Sequence, residues 1–142
     1  MPDRSVIIDT GPIVGFLVHS DDQHKWADRL FKSLPAPMLT CEAVLTEAFY
    51  LLSRDKNDPS RLFEIIDLGF IKVEFNFTED RANIRELMRK YRDLPMSLAD
   101  ACLVRMAERR PSARVLTLDS HFRIYRRLGR SPVSTIMPEL TK

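Results

Sequence analysis

Four acidic residues stand where acids can act together. Asp9 follows the apolar run Val6-Ile7-Ile8, and Asp119 follows Val115-Leu116-Thr117-Leu118. Both runs have the β-branched, apolar character of strands, so both aspartates are expected just beyond strand ends, where groups in an open α/β sheet converge in one crevice. Asp100 stands three residues after Ser97, at the start of a helical pattern, and Glu47 lies in the apolar register of another helix, between Val44 and Ala48. No basic residue adjoins Asp9 or Asp119 in sequence. Carboxylates brought together in this way repel unless they share a proton or a cation. Three or four of them form a hard, oxygen-rich donor set suited to Mg²⁺ or Mn²⁺, ions that keep several waters and accept phosphate oxygens in their remaining positions. The chemistry expected is metal-assisted phosphodiester hydrolysis, in which a bound ion acidifies and aligns water and neutralises charge on the leaving oxygen.

Each acid also has a purely structural reading. Asp9 or Thr10 suits the N-cap of a helix beginning near Pro12, Asp119 or Ser120 suits the cap of a following helix, and Ser97-x-x-Asp100 matches a capping box. Glu47 has no capping role, and its structural reading is a partly exposed helix flank.

The elements that must position these residues alternate. Ser5 to Ile8 reads as a strand, Ile13 to Val18 as a short helix, and Asp22 to Leu34 as an amphipathic one stopped by Pro35-Ala36-Pro37. A short strand Met38-Leu39-Thr40 precedes two helices, Glu42 to Arg54 and Arg61 to Leu68, the second closed by Gly69. Ile71 to Phe75 alternates as a strand does, Glu79 to Arg92 is a long charged helix, Ser97 to Arg109 another, and Arg114 to Leu118 a last strand. This alternation predicts a three-layer α/β/α sandwich around a central, mainly parallel sheet.

With 142 residues, 44% of them hydrophobic, the chain has the size of one domain with one core, and residues 1–142 are expected to form it. The apolar run after Met1-Pro2-Asp3-Arg4 is too short for a signal peptide or membrane span, so the cytoplasm is the expected compartment, without membrane attachment. Cys41 and Cys102 lack the spacing of a zinc or redox pair and read as reduced, buried small residues. His19, His24 and His121 are scattered and read as surface or capping residues.

The segments Ile7-Ile8-Asp9-Thr10, Thr46-Glu47-Ala48, Pro95-Met96-Ser97-Leu98-Ala99-Asp100-Ala101 and Leu116-Thr117-Leu118-Asp119 resemble, in that order, the four acidic motifs of PIN-domain nucleases. The resemblance spans almost the whole chain, and bacterial PIN proteins of this size are similar to VapC-like toxins. It implies a PIN-like fold and a metal-dependent endoribonuclease, often a homodimer, held inactive by a small antitoxin that enters the active-site groove. By resemblance, Asp9, Glu47, Asp100 and Asp119 are the catalytic, metal-binding acids, with Mg²⁺ or Mn²⁺ as cofactor, and Thr10 and Thr117 position a ligand or water. Many relatives carry an acid where this chain has Ser97, a departure that bears on a second metal. Asp93 lies nearby and reads as a surface residue.

Charge is uneven. From Leu103 onward nine Lys/Arg face three Asp/Glu, so this stretch carries +6 of a total of +2, and the part before it carries −4. Arginines beside a metal site suit phosphate oxygens, which makes Arg123, Arg126 and Arg127 candidate RNA contacts, with Phe122 and Tyr125 as a stacking face for an unpaired base. The competing reading of the arginines is the solvated face of a surface helix.

Other functions fit less well. A HAD-type phosphatase wants an acid two residues after the first, where this chain has Gly11, and a receiver domain wants a lysine after its last strand, where Asp119-Ser120-His121 has none. The remaining alternative is a catalytically silent PIN-like module that binds RNA or protein.

Overall fold

The run Val6–Ile8 forms β1, and all three of its side chains are fully buried. Successive strand residues point to opposite faces, so a strand buried throughout is covered on both sides. In the computed structural model, which describes residues 4–139, β1 is followed by α1 (Thr10–Leu17), α2 (His24–Ser33), β2 (Met38–Thr40), α3 (Glu42–Arg54) and α4 (Ser60–Asp67). Next come β3 (Ile71–Val73), α5 (Phe77–Lys90), α6 (Leu98–Arg109), β4 (Arg114–Leu116), a 3₁₀ turn (Ser120–Arg123), β5 (Arg126–Arg127), β6 (Ser131–Pro132) and β7 (Thr135–Ile136). The residues Met1–Asp3, read above as the start of the chain, and Lys142 of the basic stretch lie outside the described residues.

Five strands make one parallel sheet in the order β3-β2-β1-β4-β7, flanked by helices as expected for an α/β/α sandwich. Ile7 pairs with Leu39 on one side and Val115 on the other. From β1 the chain runs outward through β2 to β3, then returns to β4 on the far side of β1. The strand order therefore reverses between β1 and β4, and the crevice beyond their carboxyl ends is the topological switch point where open α/β sheets bind ligands. Asp9 follows β1 directly, and Asp119 lies shortly beyond β4. No helix among the described residues is long and apolar enough to cross a membrane.

Capping residues move several boundaries. α1 begins at Thr10, three residues before the expected Ile13, because Asp9 itself caps it, and Pro12 is tolerated in a first turn whose N–H groups have no helical partner. α5 begins at Phe77 because the Asn76 side chain accepts the Glu79 N–H at 3.1 Å, two residues ahead of the expected start. α2 is shorter than Asp22 to Leu34, since the Asp21 side chain takes the Gln23 N–H and holds a turn there. Gly69, at φ +84, supplies the left-handed residue that ends α4.

The largest departure follows Asp119. Instead of a capped helix the chain makes one 3₁₀ turn, an antiparallel hairpin of β5 and β6, and the edge strand β7 beside β4. β4 itself is shorter than the expected Arg114 to Leu118. α6 carries seven buried residues and is tied to α5 by Asp80, itself buried, which meets Arg105 at 2.9 Å and Arg109 at 3.5 Å. That ion pair fixes the helix bearing Asp100.

Candidate functional site

Asp9 is the hinge between β1 and α1. Its backbone N–H still joins the sheet, donating to Leu116 O at 3.0 Å. Its carboxylate turns to the helix, Oδ1 accepting the Thr10 N–H at 2.7 Å, and Oδ2 accepts the Thr117 hydroxyl at 2.7 Å. Thr117, fully buried just past β4, also accepts the Asp119 N–H on the same oxygen at 3.0 Å. Asp119 Oδ1 accepts the His121 N–H at 2.9 Å and lies 3.4 Å from His121 Nδ1. The start of α1 packs so closely on Leu118 that a Cβ at Gly11 would stand 2.9 Å from Leu118 Cδ1. Only glycine lets the two acid-bearing turns approach without displacement.

Glu47 comes from α3, where an acid in an apolar register called for a reason. It faces outward, and its Oε2 accepts the Thr10 hydroxyl at 3.0 Å. Asp100 sits in the first turn of α6, its N–H donating to Oγ of the N-cap Ser97 at 3.0 Å. Asp100 Oδ2 accepts the Tyr125 hydroxyl at 2.8 Å.

These residues line one open groove of about 460 Å³. Asp9, Glu47, Asp100 and Asp119 all border it, with Thr10, Gly11, Ser97 and His121, and with Leu51, Pro95 and Leu118 as its apolar part. No Lys or Arg is among the lining residues. Burial raises the Asp9 carboxyl to about 6; its bonds from Thr117 and Thr10 oppose that rise, and the charges of Asp100 and Glu47 add to it. Asp100 is also raised, by burial first, against the bonds from Tyr125 and Ser97 and with the charges of Asp119 and Glu47. Burial and the neighbouring Asp100 carboxylate push the Tyr125 phenol far above its ordinary range, so it stays a donor.

The acids ring the groove. They do not meet at one point, and among the described residues no three His, Cys, Asp or Glu side chains are drawn together closely enough to hold an ion by themselves. The donor set still fits a hard divalent cation. Mg²⁺ takes one or two protein carboxylates and completes its shell with water and substrate phosphate, so a ring of acids with uncompensated charge suits it better than a closed cage.

The structure places the other candidates as follows. Thr10 borders the groove, and Thr117 lies buried beneath it. Arg123 borders a neighbouring hollow with Leu118 and Ser120. Arg126 and Arg127 do not line the groove; their guanidinium groups bond to the carbonyls of Arg123 and Tyr125, and of Pro111 and Pro132. Phe122 and Tyr125 are fully buried, packed edge to face at 5.2 Å, and neither offers a stacking face to a base. The Tyr125 ring is core, and its hydroxyl serves Asp100. Asp93 is exposed and outside the lining. Cys41 and Cys102 are free and buried. His19 and His24 stack on each other at 4.6 Å, but His121 borders the groove, a role its sequence position beside Asp119 hinted at. The Tyr125 contact had no such signal, because it joins residues 25 apart.

A family model described as PIN domain matches residues 6–128. The crystal structure of Mycobacterium tuberculosis VapC20, described as a sarcin-ricin loop cleaving toxin, is similar to this one with a TM-score of 0.72 at 22% identity, over 82% of this chain and 91% of that one. At that identity the likeness is one of fold. No curated protein matches the sequence.

Proposed function

The chain belongs to the PIN-domain family, and from that premise we propose that it is a divalent-metal-dependent endoribonuclease, the toxin half of a toxin–antitoxin pair. One observation carries the proposal. Four acids from four separate parts of the chain border a single groove at the sheet's switch point, with no basic residue lining it and enough unbalanced charge that Asp9 is raised to about 6. A structural role alone gives no reason to gather them.

In this reading Asp9, Glu47, Asp100 and Asp119 hold Mg²⁺ or Mn²⁺. The ion, when bound, supplies Lewis acidity toward water and phosphate oxygen. The protein's own residues supply orientation. Thr117 aims Asp9 and fixes the turn carrying Asp119; Thr10 does the same for Glu47. A carboxylate held by one oxygen needs little reorganisation to present the other, which keeps the ligands in place as the reaction proceeds. Leu51, Pro95 and Leu118 restrict water on the groove's sides.

RNA is the substrate class favoured by the family, and VapC20, which cleaves the sarcin-ricin loop, makes a structured RNA loop the first substrate to test. Arg123, beside the groove, is placed to meet the RNA backbone, with Arg126 and Arg127 further along the same segment. A small antitoxin covering the groove and a homodimer complete the proposal, and both belong to a soluble cytoplasmic protein. Incubation of antitoxin-free protein with total RNA and Mg²⁺ or Mn²⁺, against an EDTA control, with mapping of new 5′ ends, tests it. Retained RNA binding without EDTA-sensitive cleavage would favour the silent binding module instead.

A further inference from the structure

Tyr125 is fully buried, yet it ends in a polar group that reaches the edge of the groove. Its hydroxyl donates to Asp100 Oδ2 at 2.8 Å. The ring is fixed on two sides, edge to face with Tyr91 at 5.0 Å and with Phe122 at 5.2 Å. Tyr91 is anchored in turn, its hydroxyl accepting the Arg126 N–H at 2.9 Å. The phenol is therefore a rigid donor with no freedom to follow a moving partner.

Asp100 needs such a partner. It stands in the first turn of α6, where its side chain has solvent on one side and three other carboxylates across the groove. Mutual repulsion would turn an unheld carboxylate outward, and a cation would then have to order it at the moment of binding. We propose that Tyr125 is the positioning residue for Asp100: it commits Oδ2 to the phenol and leaves the carboxylate to meet a divalent cation through Oδ1. This rests on the metal-dependent reading above and goes beyond it, since Tyr125 touches neither the groove nor any substrate. A hydrogen bond serving only to satisfy a buried phenol would be equally well made to a backbone carbonyl. Its partner here is instead one of the four acids.

The test uses Tyr125→Phe, which keeps the ring and its packing, together with Asp100→Asn and the double variant. Mn²⁺ binding to the metal-free proteins is measured by titration calorimetry, alongside thermal melts and RNA cleavage. The expected result is that Y125F weakens Mn²⁺ binding by about tenfold or more, the usual effect of losing a partner of a metal-ligating carboxylate, with cleavage reduced in parallel. In the D100N background the same change has no further effect on Mn²⁺ affinity. A Y125F protein that binds Mn²⁺ as the parent does, or one whose loss is the same with and without Asp100, overturns the role of Tyr125. A purely structural role would lower the melting temperature and leave Mn²⁺ affinity intact. If the parent itself neither binds Mn²⁺ nor cleaves RNA, the nuclease reading fails and this inference with it.

Discussion

One hydroxyl joins Asp9 to Asp119. Thr117 Oγ1 donates to Asp9 Oδ2 at 2.7 Å and accepts the Asp119 backbone N–H at 3.0 Å, so the ends of β1 and β4 are tied across the switch point of the sheet. Both bonds are at least partly buried, which makes them costly to lose.

Thr117→Val keeps the shape and removes both bonds. It leaves a carboxylate oxygen and a backbone N–H unsatisfied, which costs about 1–3 kcal/mol, and it lets two proposed ligands drift apart. Chemical denaturation should show a loss of that size, and RNA cleavage should fall by about 10-fold or more. Thr117→Ser, which retains the hydroxyl, should restore most of both.

Asp9 sets a pH dependence of stability. Its folded value of about 6 lies above the unfolded 3.8, so the folded state binds the proton more tightly, and the stabilising contribution is full below the unfolded value and lost as pH rises through about 6. The rise of roughly two units caps this effect at about 3 kcal/mol. Asp9→Asn should therefore raise the melting temperature of the metal-free protein at about pH 7.5 and change it little at about pH 4. Melts of both proteins across that range check the sign; a parent whose stability rises between those limits relative to the variant contradicts it.

The Asp80–Arg105 pair should matter to stability without touching the site. Asp80 is 2% exposed, and Arg105→Ala leaves its charge with only Arg109 at 3.5 Å. Removing one member of a buried pair typically costs about 3–5 kcal/mol. Denaturation should show a loss in that range, eased in the Asp80→Ala, Arg105→Ala double variant, while RNA cleavage below the melting temperature stays near parental.

Much of the site was legible because it follows from strand ends. Val6-Ile7-Ile8 before Asp9 marks a buried parallel strand, and the apolar register around Glu47 marks α3, so both acids can be placed without tertiary information. The stretch after Asp119 was not legible, since β5, β6 and β7 have two residues each, too few to show a period. Its arginines suggested a helix face, yet two of them are spent on carbonyl oxygens within the hairpin region. The aromatic residues Phe122 and Tyr125 looked available to a base, but packing on Tyr91 and α6 decides their burial, and no local pattern records that. Boundaries shifted where a side chain rather than periodicity starts a helix, as Asn76 and Asp9 do.

Arg123 separates the RNA-binding reading from a merely solvated surface. Its Ala variant should weaken RNA binding about equally across sequences and lower the salt slope by about 1. Arg126→Ala and Arg127→Ala, whose guanidinium groups support the hairpin, should instead lower stability. Filter binding at several salt concentrations checks the first, and an unchanged slope would return Arg123 to the solvated-face reading.

The most direct measurement is RNA cleavage by the parent, Asp9→Asn and Asp119→Asn with Mn²⁺ and with EDTA, beside a thermal melt of each. Both aspartates cap the turns that follow them, through the N–H groups of Thr10 and His121, and Asn caps as well as Asp does. A neutral amide, however, is a poor ligand for a hard divalent cation. The predicted result is EDTA-sensitive cleavage by the parent and its steep loss in both variants, which remain folded and at least as stable without metal. Near-parental cleavage by both Asn variants would contradict the account and leave the aspartates as helix caps.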